Sequence, residues 1–337
     1  MIETALPWLL LAICAVLIGF AGHSLTRYAG AISSLTGLPH SWIGLVLLSA
    51  ATSVPELFTG VSSVAVFDAP DIALGDALGS CVLNLVLLVL LDVLCPDEPI
   101  YSRVDQRHVL TAGFGVVLIG IVGLTIMTAD TGIGGTLFHV SAYTPLVILV
   151  YFVAVRATFL HERRLAITTP EAGEPGHALT LSQAVTRYIA AALIVGVAGG
   201  ALPYIGTEIA QITGWQASFI GTLLVALATS LPEFVVVVSA MQRNAPDMAI
   251  AALLGSNLFD VVVVAIDDLA YTRGSIFADV SPVHASSAFA GVIMSGIFVV
   301  ALLYRPKNRF FGHLNWVSLS LLTVYFLSSY LIYLYEN

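Results

Sequence analysis

Charge is what this sequence has least of. Of its 337 residues only 10% are Asp, Glu, Lys or Arg, against about 25% in an ordinary soluble domain, and lysine occurs once, at Lys307. With 58% apolar side chains and a mean hydropathy of +0.96, a soluble globular fold is excluded. Long polar stretches are lacking too: the longest, His161 to Gln183, is too short to bury a core of its own. The three cysteines, Cys14, Cys81 and Cys95, lie in or beside apolar segments without CxxC spacing, so neither a disulfide framework nor a thiolate zinc site is indicated. A zinc protease would need an HExxH helix and a retinal protein an intramembrane lysine, and the chain has neither. Basic clusters are also missing. The net charge of −9 and pI near 5.2 argue against nucleic acid or an anionic lipid surface as a partner and for a protein that attracts cations.

What is present is a series of apolar runs of about 20 residues, the length that crosses a roughly 30 Å hydrocarbon core. Ten helices are expected, at roughly 5–24, 40–66, 71–95, 108–128, 138–160, 183–204, 215–241, 247–267, 282–304 and 313–335. Residues 1–7 carry Glu3 and no Lys or Arg, so the basic start of a cleaved signal peptide is missing and the first run is expected to remain a helix. Cytoplasmic loops retain positive charge. Arg27, Arg103, Arg107, Arg156, Arg163, Arg164, Arg187, Arg243, Arg305, Lys307 and Arg309 fall on one side of the alternating loops and Arg273 alone on the other, 11 of 12. That alternation predicts an all-α polytopic protein of the cell membrane, with the lipid bilayer as its surroundings and both termini outside.

The chain also resembles itself. Ile43 to Glu56 (IGLVLLSAATSVPE) aligns with Ile220 to Glu233 (IGTLLVALATSLPE), 8 of 14 positions being identical. Pro70-Asp71 through Gly79-Ser80 to Asn84 aligns in the same way with Pro246-Asp247 through Gly255-Ser256 to Asp260. The offset, 176 to 177 residues, is about half the chain. Five helices per half is an odd number, so the second copy enters the membrane from the opposite side. The expected organisation is a first five-helix repeat at 1–160, a cytoplasmic linker at 161–182 and a second, inverted five-helix repeat at 183–337. Inverted repeats characterise secondary transporters, whose substrate site lies at mid-membrane where interrupted helices of the two halves meet.

Each motif places its Glu 12 residues after a helix-opening glycine, near mid-membrane, where a carboxylate costs about 2.5–3.5 kcal/mol to insert. The preceding proline has no N–H, so the carbonyl of Ala51 or Ala228 loses its helical donor and the helix bends. Thr52, Ser53, Thr229 and Ser230 add hydroxyls at the same level. Oxygen-only sites suit hard cations such as Ca²⁺ and Na⁺. In the helices that follow, Ser80 and Asn84 share one stripe, as do Ser256 and Asp260, and Gly79 and Gly255 would let backbones approach. A lone Ser or Thr here reads equally as an ordinary interhelical hydrogen bond. Duplicated mid-membrane carboxylates have no such structural explanation.

These motifs, each followed by a Gly-Ser helix ending in Asn84 or Asp260, resemble the two alpha-repeats of the cation/calcium exchanger superfamily, most of all its prokaryotic sodium/calcium exchangers. The resemblance covers the whole architecture. It implies a secondary antiporter, not an enzyme, that exchanges Na⁺ for Ca²⁺ with no cofactor and no obligatory protein partner. By the same resemblance Glu56, Glu233, Asn84 and Asp260 form a diamond of four ion ligands, and Thr52 and Thr229 supply mainly backbone carbonyls. Ser53, Ser80, Ser230 and Ser256, with the carbonyls of Ser49 and Ala226, complete flanking sodium sites. The first helix of each half is expected to slide across the core.

Two positions depart from the family pattern. Cys81 stands where the second copy has Asn257, a difference expected to affect packing. Asp76 stands where the family often has an uncharged residue, and its counterpart is Ala252; it reads either as a proton or accessory cation site or as an Asp held by hydrogen bonds near its helix start. Asp92, Asp267 and Asp268 lie late in their helices and are expected at the membrane interface. A calcium/proton exchanger is the alternative within transporters, although the hydroxyl-rich Thr-Ser-x-Pro-Glu pattern favours sodium. From another class, an intramembrane aspartyl protease would need Gly-x-Gly-Asp, and Ala73 occupies its first glycine.

Overall fold

Lipid offers no hydrogen bonds to the backbone, so apolar spans must satisfy their N–H and C=O groups internally, as helices. The computed structural model describes residues 2–36, 48–95, 98–131, 135–166, 179–242, 245–309 and 314–335. In chain order its main elements are α1 (Ile2–Thr36), α2 (Ser49–Thr52), α3 (Val54–Ala65), α4 (Pro70–Val93), α5 (His108–Thr128), α6 (Tyr143–Ala166) and α7 (Leu181–Thr213). They continue as α8 (Ala217–Thr229), α9 (Leu231–Gln242), α10 (Pro246–Ala270), α11 (His284–Tyr304) and α12 (Trp316–Tyr335). Eight of the described helices are long and apolar enough to cross a membrane, and the pair α8–α9, bent by 43°, makes a ninth span. Helices α2 and α3 form a second interrupted pair. The upstream part of the helix expected at 40–66 lies outside the described residues.

Both interruptions fall at the serine two residues before the proline and share a backbone geometry: Ser53 has φ −90° and ψ 14°, Ser230 φ −79° and ψ 8°, the bridge region where a helical turn opens. The bend expected at each proline, within 40–66 and 215–241, is thus found as a helix break. Ahead of Ser230 the chain is further loosened by a π turn at Gly221–Val225. There α4 passes so close that a Cβ on Gly79 would lie 2.8 Å from the Ala226 methyl and one on Gly75 2.8 Å from the Thr222 nitrogen. Glycine is the residue that permits this crossing.

Helices α4 and α10 form the centre of the molecule, with 78% of each apolar window buried, against 28% for α1 and α12. Around them α1 packs on α7, α5 on α11, α3 on α7 and α9 on α1. Tertiary contacts recur at the same offset as the sequence repeat. Asn257 Nδ2 donates to the Cys81 carbonyl at 3.1 Å while Cys81 Sγ donates to the Asn257 carbonyl at 3.7 Å, so two equivalent residues meet each other. His284 Nε2 pairs with Asp71 at 3.0 Å and His108 Nε2 with Asp247 at 2.9 Å. Asp92 accepts from the Ile100 amide at 3.1 Å and Asp268 from the Ile276 amide at 2.9 Å.

Several helix ends differ from expectation. Helix α1 continues past residue 24 to Thr36 and α7 past 204 to Thr213, because helix-compatible polar residues extend beyond the apolar run. In α7, Pro203 leaves the Gly199 carbonyl without its helical donor, and Thr59 Oγ1 on α3 supplies one at 3.1 Å. The run expected from 138 begins instead with a short antiparallel hairpin, Thr136–Leu137 against Val140–Ser141. The linker expected at 161–182 is helical at both ends, and residues 167–178 lie outside the described residues. Asp92, Asp267 and Asp268 sit late in their helices, as read, and each is fully buried in protein.

Candidate cation site

The two breaks bring their carboxylates to the middle of the α4–α10 pair. Glu56 lies in the first turn of α3 and Glu233 in the first turn of α9, positions at which amide dipoles favour an anion. Both are at most 2% exposed, and Asp76, Asn84 and Asp260 are each 1% exposed. No ion pair to Lys, Arg or His reaches any of these carboxylates among the described residues, where such pairs involve Asp68, Asp71, Asp92 and Asp247.

Hydroxyls stitch the carboxylates together across the halves. Ser80 Oγ donates to Glu56 Oε1 at 3.3 Å and receives a hydrogen bond from Ser230 Oγ at 3.1 Å. Thr229 Oγ1 donates to Asp76 Oδ1 at 2.8 Å and lies 3.4 Å from Ser80 Oγ. The equivalent contact in the other direction joins Thr52 Oγ1 and Ser256 Oγ at 2.9 Å. Asn84 Nδ2 donates to Asp260 Oδ2 at 3.5 Å. Cys81 Sγ also lies 3.9 Å from that oxygen, so it stands at the edge of the site as well as packing between helices.

Hydrogen bonds thus bring together Glu56, Asp76, Ser80, Thr229 and Ser230, and separately Thr52 with Ser256 and Asn84 with Asp260, with two qualifications of geometry. The carbonyls of Ser49 and Ala226 each accept from a serine amide, of Ser53 or Ser230, at 3.0 Å. The Thr52 hydroxyl lies 3.1 Å from the Ser49 carbonyl and the Thr229 hydroxyl 3.1 Å from that of Ala226, with the Thr229 proton directed to Asp76 at the shorter distance. Among the described residues no three His, Cys, Asp or Glu side chains converge on one point, so the carboxylates ring the site in this conformation. What remains open is a set of buried oxygens without a partner: Glu56 Oε2, both of Glu233, Asp76 Oδ2, Asn84 Oδ1, Asp260 Oδ1 and the hydroxyls of Ser49 and Ser53. Buried oxygens lacking donors are costly, and a hard cation supplies what they lack. The donor set fits Ca²⁺ or Na⁺ as cargo. Sequence reading missed the His108–Asp247 and His284–Asp71 pairs, although their shared 176-residue offset was a usable signal.

The profile of the family described as sodium/calcium exchanger protein matches residues 6–160 and 184–335. The inner membrane protein YrbG of Escherichia coli (strain K12) is 24% identical over 318 residues, 88% of this chain and 96% of its own. Among solved structures, the sodium-calcium exchanger NCX_Mj, soaked with Na⁺ and Sr²⁺, superimposes with a TM-score of 0.59 at 21% identity, covering 96% of this chain and 98% of its own. Native YfkE superimposes with a TM-score of 0.63 at 18% identity, covering 96% and 91%. The fold is shared with both.

Proposed function

The chain belongs to the sodium/calcium exchanger protein family, and on that premise we propose that it is an antiporter of the cell membrane that extrudes Ca²⁺ by admitting Na⁺. The carrying observation is the duplicated Pro-Glu break, with Glu56 and Glu233 buried and three of their four carboxylate oxygens unpartnered. Both ions use these two groups, so their binding is mutually exclusive. Glu56, Glu233, Asn84 and Asp260 take the central ion. Thr52, Thr229, Ser53, Ser230, Ser80 and Ser256, with the Ser49 and Ala226 carbonyls, serve flanking sodium positions.

In this reading the chain makes ten spans in two inverted halves, 1–160 and 183–337, joined by a cytoplasmic linker, with both termini outside. The uneven distribution of Arg and Lys supports that direction. Alternating access comes from α1 and α7 moving across the core. Exchange of more than two Na⁺ per Ca²⁺ carries net charge, each charge being worth about 2.3 kcal/mol per 100 mV.

Calcium uptake into vesicles, with sodium and proton gradients imposed separately, tests the coupling. An outward sodium gradient is expected to drive uptake and a proton gradient to drive little. Asp76 favours a second reading, proton-coupled exchange, because it adds a carboxylate beside Glu56, Glu233 and Asp260 and joins the hydroxyl network through Thr229. Asp76→Asn separates the two: sodium-driven flux survives the change if the main reading holds, whereas a proton-coupled exchanger loses its proton-driven flux.

A further inference from the structure

Beyond the central site, the two halves differ on the faces that lead away from it. On α3 the residues following Glu56 toward the helix end are Thr59, Gly60 and Ser63, and their counterparts after Glu233 on α9 are Val236, Val237 and Ala240. On α10, Asp267 lies seven residues after Asp260 and so on the same stripe, about 10 Å further along; its counterpart on α4 is Leu91. Leu91, Val237 and Ala240 belong to one buried apolar cluster. The pairing of α9 with α4 thus closes with hydrocarbon where the pairing of α3 with α10 places a carboxylate and a hydroxyl.

Asp267 is not a satisfied core residue. It is 0% exposed, and neither carboxylate oxygen has a hydrogen-bond partner. Its neighbour Asp268 shows what satisfaction looks like here: it accepts from the Ser141 amide at 2.8 Å, the Thr144 hydroxyl at 2.5 Å and the Ile276 amide at 2.9 Å. The Asp267 carboxyl rests against bare backbone, since a Cβ on Gly60 would lie 2.7 Å from its Cγ. One turn along α3, the Ser63 hydroxyl is also fully buried and unpartnered.

We propose that Asp267, with Ser63, forms a second, weaker cation site that hands the transported ion between the central site and the outer face. The inference rests on the antiport reading and on its direction, which puts the ends of α3 and α10 outside. A single carboxylate and a hydroxyl hold a hard cation that keeps most of its water, which suits a transient stop. Gly60 leaves room for the carboxyl itself, and among the described residues the equivalent positions on the inner side are the apolar Leu91, Val237 and Ala240.

The test uses the full chain in proteoliposomes, with calcium flux measured from each face, and equilibrium ⁴⁵Ca²⁺ binding to the purified protein. Asp267→Asn is expected to raise the outer-face KM for Ca²⁺ about ten-fold relative to the inner-face KM and to remove a weak population of bound calcium. Glu233→Gln removes the tight population instead. Ser63→Ala, which deletes only a hydroxyl, is expected to shift the outer KM in the same direction by about three-fold and keeps the test available if the Asp267 variant fails to fold. Unchanged KM values, or equal shifts at both faces, overturn the proposal; an unchanged value means that Asp267 is held neutral. Absence of calcium flux in the unaltered protein, with weak binding still lost in Asp267→Asn, overturns the antiport reading while the second site stands.

Discussion

At the scale of single residues, Glu56 and Glu233 are equivalent in sequence but not in surroundings: Ser80 donates to Glu56, while both oxygens of Glu233 lack a partner. Replacing either with Gln keeps the shape and removes the charge that offsets a cation. Sodium-driven calcium uptake is expected to fall at least about 100-fold in both variants, with protein still reaching the membrane. Their thermal stability without ions is expected to hold or rise, because an uncompensated buried carboxylate is lost. Uptake at the unaltered rate in either variant would remove that residue from the site.

At the scale of elements, movement and anchorage use different contacts. Two glycines sit over the prolines of the two broken helices: a Cβ on Gly199 of α7 would lie 2.9 Å from the Pro55 carbonyl oxygen, and one on Gly22 of α1 closer still to Pro232 Cγ. Gly199→Val should therefore overpack the α3–α7 contact, at about 1–3 kcal/mol, and slow exchange more than it weakens ion binding; equal loss of both would mean that α7 is a fixed wall. Asp268 anchors instead, drawing donors from the hairpin, from α6 and from the turn after α10. Asp268→Ala orphans the Ser141 and Ile276 amides, each worth about 1–3 kcal/mol, so a clear drop in the melting temperature in detergent is expected, and an unchanged melting curve would count against the anchor.

At the scale of the whole molecule, the site holds several carboxylates and no paired Lys, Arg or His among the described residues, so its cargo supplies the positive charge. If more than two Na⁺ replace one Ca²⁺, a potassium-valinomycin potential changes the initial rate of calcium flux, with opposite effects for opposite polarity. Flux indifferent to voltage of either sign would mean electroneutral exchange. At the outer side as read from charge, Arg273 pairs with Asp68; on the opposite side Arg309 holds Asp92 at 3.7 Å and the Cys95 carbonyl. The few cations therefore also tie loops to helix ends.

Most of the spans and the two interruptions beside Pro-Glu were readable from the sequence, because hydropathy and proline act on the chain locally, and the duplication of the oxygen-bearing residues was visible as identity. His108–His284 and Asp247–Asp71 carried the same offset, yet nothing in the sequence said that each His would meet the Asp of the other half. The ends of α1 and α7 were misread because apolarity reports how far lipid extends, whereas the helix continues as long as its backbone bonds can form. Partners had to come from the fold. Ser141, Thr144 and Ile276 satisfy Asp268, and the first two lie more than 120 residues away in the chain; the adjacent Asp267 faces the bare backbone of Gly60 and receives no donor. Two identical side chains in consecutive positions point about 100° apart on a helix, and only the packing of other elements around them decided which would be anchored and which left open to a cation.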